Sequence, residues 1–211
     1  MGLLASFFEL SQALQNTFDQ NRGIMAITKI DPKSALIAVD MQKGILAMAA
    51  PTDVERIVAK TTELANTFHE LGLPVVWVHA LGLPKGRVEF SPAVGKPQPG
   101  FAELHEDLPV KKGDLKIWKT TTNAFLSQEL NALLEKFGIT NVIIAGIALG
   151  GGVESTVRAG FDAGYSMTVA CDATADPMQG RAEAVMKFTL PMFSELGNTE
   201  NILRALRSSH A

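Results

Sequence analysis

The 211-residue sequence predicts an α/β protein: an open three-layer α/β/α sandwich whose mainly parallel sheet is covered by helices on both faces. Three observations carry that prediction. Short apolar runs recur along the chain, SALIAV at 34–39, PVVWVH at 74–79, NVIIA at 141–145 and SMTVAC at 166–171. Stretches of helical period, roughly 10 to 20 residues long, lie between them and end on Gly72, Gly138 and Gly164. The runs are apolar throughout rather than alternating, as expected of strands buried on both faces of a parallel sheet.

Taken in order, residues 1–24 form an extension. Leu3, Leu4, Phe7, Phe8, Leu10, Leu14 and Phe18 stand at helical spacing. An amphipathic helix of this kind docks on its own chain or on a second copy, or lies on a membrane surface. The absence of lysine from its polar face favours the first two. Glu9 and the lack of a basic leading region make it a poor signal peptide, and no apolar run approaches the roughly 20 residues of a membrane span. The break DQNRG then opens a single domain, 25–211.

In that domain Ser34 to Val39 reads as strand one. A helix runs from Thr52, with Asp53 and Glu55 in its first turn, to Leu71. Pro74 to His79 is strand two. Residues 81–114 begin rich in Pro and Gly and show no strong period, and a loop of that length is usually functional. Asp114 to Lys119 is a short strand three and Leu126 to Phe137 a helix. Val142 to Ala145, led by Asn141, is strand four. It feeds a turn with Gly146, Gly150, Gly151 and Gly152, and then the helix VESTVRAGFDAGY. Ser166 to Cys171 is strand five, Gln179 to Thr189 a helix, Met192 to Leu196 a weak strand six, and Glu200 to Arg207 a last helix.

Bulk properties narrow the function. Hydrophobic residues make up 46% of the chain and the mean hydropathy is +0.14, ample for a large core. A net charge of −3 with no basic stripe argues against nucleic acid as a partner. The single cysteine, Cys171, allows no internal disulfide and suits a reducing, cytoplasmic setting. The glycine turn fits neither G-x-G-x-x-G nor a P-loop, so nucleotide binding is a weak reading.

In open parallel sheets ligands sit beyond the carboxyl ends of the strands, where strand order reverses. That rule nominates Asp40, His79, Lys119, the glycine turn and Asp172. A strand feeding a glycine-rich turn and a helix N-terminus also presents free backbone N–H groups to an anion. Asp40 and Lys119 each end a buried strand, where a charge is costly unless paired, so they are natural partners.

The runs ALIAVDMQKGIL, KTTTNAF, GIALGGGVESTVRAGFDAGY and VACDATAD together resemble the isochorismatase-like (cysteine hydrolase) superfamily, over about Pro32 to Leu206. The resemblance implies a six-stranded parallel, Rossmann-like sheet and a catalytic trio of Asp, Lys and Cys. In this sequence these fall on Asp40, Lys119 and Gly152, so the nucleophile is absent. The amidase branch needs its thiolate to form a thioester. Cys171, inside strand five, reads as a small buried hydrophobe. Ser155 stands one helical turn past Gly152 with no histidine nearby in sequence to activate it. The Asp-x-His metal cluster of the nicotinamidase branch is missing too: His69, His79, His105 and His210 are scattered. The resemblance therefore implies no metal and no cofactor. Isochorismatases are similar to this sequence in carrying Gly at the thiol position. They hydrolyse a vinyl ether, a reaction that needs a positioned acid and room for water. Asp40 is then the acid, while Lys119 and the turn amides hold substrate carboxylates. The acid needs a raised pKa; Lys119 opposes that and burial favours it.

Further positions follow. Gln42 is either a substrate hydrogen-bonder or the partner of a loop amide. Arg87 is either a carboxylate clamp or a solvated loop residue, and His79 either lines the pocket or is satisfied structurally. Asn123, Ala124 and Phe125 match the residues after the family lysine and are expected to wall the site. The resemblance also implies a non-proline cis peptide at Ile147–Ala148, which aims the amides of Ala148 and Gly152 at an oxyanion-type position. Leu149 stands where Thr is common and Gly151 completes the turn; both are expected beside the substrate. The family forms dimers and larger assemblies, so a homo-oligomer is expected. The sequence thus points to a hydrolase of isochorismate or a related small carboxylated molecule. The alternatives are a catalytically silent binder of small acids or an assembly protein, and an amidase with another nucleophile.

Overall fold

Every residue of SALIAV is buried, and the segment lies near the middle of a six-stranded sheet. The computed structural model describes residues 27–89, 98–178 and 180–211. The expected extension at 1–24 lies outside the described residues. The strands are β1 (Ser34–Val39), β2 (Val75–Ala80), β3 (Leu115–Lys119), β4 (Asn141–Ile147), β5 (Ser166–Ala175) and β6 (Glu195–Gly197). All pairings are parallel, in the order β3-β2-β1-β4-β5-β6. The chain winds outward from β1 to β3, returns to the centre at β4 and winds the other way. Strand order therefore reverses between β1 and β4, whose carboxyl ends are the expected place for a site.

Two helical layers explain why the central strands lack alternation. On one face, Leu36, Ala38, Trp77 and Ile143 pack against α2 (Pro51–Glu70) and α6 (Thr199–Ser208). On the other, Ile37, Val39, Val78 and Ile144 pack with residues of α3 (Gln128–Lys136), α4 (Glu154–Asp162) and α5 (Arg181–Phe188). Among the described residues no helix is long and apolar enough to cross a membrane.

Local chemistry sets the boundaries. Pro51 occupies the first turn of α2, where its missing N–H costs nothing. Four features differ from the sequence expectation. A short helix, α1 (Lys43–Leu46), follows Gln42. The helix after β4 does not start at once: a π-helical turn, Leu149–Val153, intervenes, with Gly150 and Gly151 outside helical geometry. The segment expected as a strand from Met192 instead begins as a 3-10 turn, Leu190–Met192, because Pro191 has no N–H for a ladder; only Glu195–Gly197 pairs. Finally β5 runs past Cys171 to Ala175. Its register against β4 shifts between Ile144 and Gly146, and the shift carries Cys171 and Asp172.

The long loop is partly zipped to the sheet rim. Lys43 N donates to Glu103 O at 2.8 Å, Gly44 N to Phe101 O at 3.1 Å and His105 N to Met41 O at 3.1 Å. Gln42 and Leu104 form an isolated antiparallel bridge. Phe101 lies so close over Gly44 that a Cβ there would meet its ring at 2.0 Å.

Candidate active site

Asp40 leaves β1 with φ 53°, a left-handed conformation that is rare for a residue with a side chain and typical of functional positions. Lys119 ends β3 on the same face as buried Ile117. The two meet: Lys119 Nζ donates to Asp40 Oδ2 at 2.8 Å, with side-chain exposures of only 6% and 8%. Asp40 Oδ1 is buried and has no hydrogen-bond partner among the described residues. Burial pushes the Asp40 carboxyl above its ordinary pKa, and the opposing pull of Lys119 does not cancel it.

The glycine turn closes the site from β4. Gly146 has φ +118°, and a Cβ there would strike Val39 O at 2.0 Å, so only glycine lets β4 approach the end of β1 this closely. The next peptide but one, Ile147–Ala148, is cis, as expected. A Cβ built on Gly152 would lie 3.0 Å from Asp40 Oδ2, 3.1 Å from Val39 Cγ1 and 3.6 Å from Lys119 Nζ. A side chain at 152 would point straight at the ion pair and crowd it. The turn is tied to the segment after Lys119: Ala124 N donates to Thr156 Oγ1 at 3.2 Å, and Thr156 Oγ1 donates to Gly152 O at 2.6 Å.

The other expected residues divide. Ala148 is part-buried, and its carbonyl accepts from Gly151 N at 2.9 Å and Val153 N at 3.2 Å. Gln42 is wholly buried and grips the end of β2: its Oε1 accepts from Ala80 N at 2.6 Å and its Nε2 donates to Ala80 O at 3.1 Å. It is therefore a rim clamp, with its carboxamide oxygen already used, rather than a substrate hydrogen-bonder. Leu149 is fully buried in the core beside Val153, so its side chain does not face a substrate. Phe125 stacks near Tyr165, ring centroids 5.6 Å apart, and covers Gly160, which makes it a core residue rather than a wall of the site. With Asn123 it lines a separate groove of about 580 Å³ between α3 and α4. His79 is buried, its Nδ1 is 2.8 Å from Ala102 O, and its ring stacks on exposed Trp118 at 5.1 Å. Burial holds its pKa below the usual range. Arg87 is exposed and has no hydrogen bond or ion pair among the described residues.

Alternative nucleophiles are poorly placed. Ser155 Oγ is 2.9 Å from Thr122 Oγ1, an exposed hydroxyl pair with no base. The Cys171 thiol is buried and its pKa is pushed up to about 11, so it is not a thiolate near neutrality. Among the described residues no group of three or more His, Cys, Asp or Glu side chains could hold a metal ion.

One residue of the rim is not marked by the strand pattern of the sequence. Because β5 extends to Ala175, the acid at its end is Asp176, not Asp172. Asp172 instead sits in the irregular part of β5 and accepts from Thr199 N and Thr199 Oγ1, each at 2.8 Å, at the start of α6. Asp176 is fully buried and receives Gly150 N at 2.8 Å, Met178 N at 2.9 Å and Arg181 Nε at 2.9 Å to both oxygens. The Asp176-Pro177 pair, a turn signal, was the clue available in the sequence.

Comparison with known proteins places this geometry. Residues 34–201 match the model of the isochorismatase domain. An uncharacterised isochorismatase family protein of Bacillus subtilis, YwoC, is 28% identical over 184 residues, which span 83% of this chain and 95% of the relative. A probable inactive nicotinamidase of Arabidopsis thaliana is 32% identical over 157 residues, 67% of this chain and 80% of the relative. A solved isochorismatase family protein of Burkholderia thailandensis superposes with a TM-score of 0.81 at 28% identity, covering 86% of this chain and all of that one.

Proposed function

The chain belongs to the isochorismatase family, a family of hydrolases, and on that premise we propose that it hydrolyses a small carboxylated vinyl ether, with isochorismate the first substrate to test. One observation carries the reading. The resemblance puts the family's nucleophile at Gly152, and a Cβ there would lie 3.0 Å from a buried carboxyl group with a raised pKa.

Lys119 occupies Oδ2 of Asp40, which leaves Oδ1 as the oxygen that carries the proton. Asp40 donates that proton to the methylene carbon of the vinyl ether. The resulting oxocarbenium ion is captured by a water beside Gly152, where no side chain stands in its way. The water's proton returns to Asp40, and the hemiketal collapses to pyruvate and an alcohol, so atoms and charge balance. Lys119 and the amides of Ala148 and Gly152 hold the reacting end of the substrate. Purified protein incubated with isochorismate is expected to release pyruvate; a rate no higher than that of Asp40→Ala sinks this substrate.

A second reading is favoured by the same Gly152 and by the likeness to a relative described as a probable inactive nicotinamidase. It is a silent relative that binds small acids. Such a protein gains melting temperature with a carboxylate and turns nothing over. As to setting, we place the protein in the cytoplasm as a homo-oligomer, on the strength of its lone buried cysteine and of exposed Phe161 and Met192. A single monomeric peak on sizing with light scattering removes the oligomer.

A further inference from the structure

Beside the glycine turn stands a cation that the trio does not include, Arg181. Arg181 lies along Gly150: a Cβ on that glycine would sit 2.7 Å from both Arg181 Cγ and Cδ, so the arginine stem occupies the space a side chain would take. Its Nε is fixed on both oxygens of Asp176, and the same Asp176 holds Gly150 N. The turn, the acid and the arginine form one rigid unit. Gly152 is only two residues further, so its Cα lies at most about 7.6 Å from that of Gly150. That is the span of a small molecule.

An arginine has five N–H donors, and Asp176 engages only the one on Nε. The four on the terminal nitrogens have no acceptor among the described residues, and the side chain is 32% exposed. We propose that Arg181 is the substrate-carboxylate anchor of this site, with its terminal nitrogens forming a bidentate pair to a carboxylate whose reacting end lies at Asp40. This rests on the reading of the site as one for small carboxylates and names the residue that selects them.

The bland reading makes Arg181 only the counter-charge of buried Asp176. A lysine would serve that purpose equally well, but it has no planar fork whose outer nitrogens stay free for a ligand. Arg87, the arginine expected from sequence, contrasts with it: exposed and without a partner to orient it, it would have to be ordered anew by each ligand. Arg181 is already held at its Nε and along its stem, so its fork is preorganised.

The test compares benzoate with benzamide, its neutral isostere, by titration calorimetry on wild type, Arg181→Gln and Arg181→Lys. Wild type is expected to prefer benzoate. In Arg181→Gln the benzoate Kd should rise about tenfold or more, with the benzamide Kd unchanged. Should the glutamine variant melt too low to assay, Arg181→Lys keeps a cation beside Asp176 but lacks the fork, and it should still weaken benzoate selectively. Equal loss of both ligands, unchanged benzoate affinity in a folded variant, or no preference for benzoate in wild type overturns the proposal. Pyruvate release from isochorismate keeps this separate from the reaction itself. If wild type turns over and Arg181→Gln has an unchanged KM, Arg181 fails while Asp40 stands. If Arg181 governs benzoate binding and no pyruvate appears, the reaction fails while the anchor stands.

Discussion

Two carboxylates, Asp40 and Asp114, have side chains buried to nearly the same degree at opposite ends of the sheet, and they are treated in opposite ways. Asp114 lies just before β3. His69 Nε2 is 2.8 Å from its Oδ1, while Trp77 Nε1 and Lys111 N each donate to its Oδ2 at 2.8 Å. Both oxygens are satisfied, and the acid ties α2, β2 and the loop before β3 together. Asp40 lies just after β1 with one oxygen on Lys119 and the other without a partner among the described residues. An unsatisfied buried oxygen is costly, and folds keep few of them. The contrast separates a structural carboxylate from the proposed acid: Asp114, with both oxygens held by donors, acts as a rivet, and the proposed reaction uses the half-paired carboxyl of Asp40 to carry the proton.

The most severe way to break this comparison is to exchange the expected phenotypes. Asp40→Asn keeps an acceptor for Lys119 Nζ but carries no transferable acid, so turnover should fall on the order of 10²–10⁴-fold with the fold retained. A steady-state assay of pyruvate beside a far-ultraviolet melt checks both. Asp114→Ala should do the reverse. It strands several buried donors, costing about 3 kcal/mol and lowering Tm by about 6–12 °C, while the kcat of the folded fraction stays unchanged. If Asp114→Ala abolished turnover at full stability, the rivet would be a misreading.

A gentler probe is Gly152→Ala. Its methyl would stand 3.0 Å from Asp40 Oδ2 and 3.1 Å from Val39 Cγ1, taking up the space assigned to water. The glycine has no positive φ, so the backbone tolerates the change, while Asp40 and Val39 must shift by a few tenths of an ångström to admit the methyl. About a tenfold drop in kcat is expected, with a melt lowered only slightly. A rate equal to wild type would show that the water stands elsewhere.

The smallest effect is on pH. Because burial raises the Asp40 pKa, the folded state holds that proton more tightly than the unfolded chain. Its contribution to stability is full below the ordinary carboxylate pKa and is lost as pH rises through the folded, raised value. Turnover should decline through that same window as the acid ionises. Asp40→Asn should flatten the stability slope there, which chemical denaturation at a series of pH values reads directly.

Much of the fold was legible because both of its determinants are local. SALIAV and NVIIA announce buried parallel strands by composition, and Gly72 and Gly138 mark helix ends with φ +67° and +60°. Asp40, Lys119 and the glycine turn are legible because strand ends converge at a reversal of strand order, while Gly152 is singled out within that turn only by the family resemblance. What was not legible depends on register and on what fills space. The extension of β5 to Ala175 turns on an irregular pairing that apolar pattern does not encode, so Asp172 was chosen over Asp176. The roles of Gln42, Leu149 and Phe125 depend on which way a side chain points after a turn, and no periodicity specifies that. Arg181 follows a turn in a segment with no strong motif, and only its position against Gly150 singles it out.

The ion pair joins residues 79 apart in sequence, drawn from β1 and β3, and the open space beside it comes from the turn after β4. No part of the chain contains the site by itself. Contacts of this separation incur a large loop-closure cost and slow the folding of parallel sheets. Chemistry is therefore among the last properties a refolding chain acquires. After dilution from denaturant, pyruvate release should not recover until β4 has docked on β1, however early helical signal returns, and turnover would serve as a clock for completion of the central sheet.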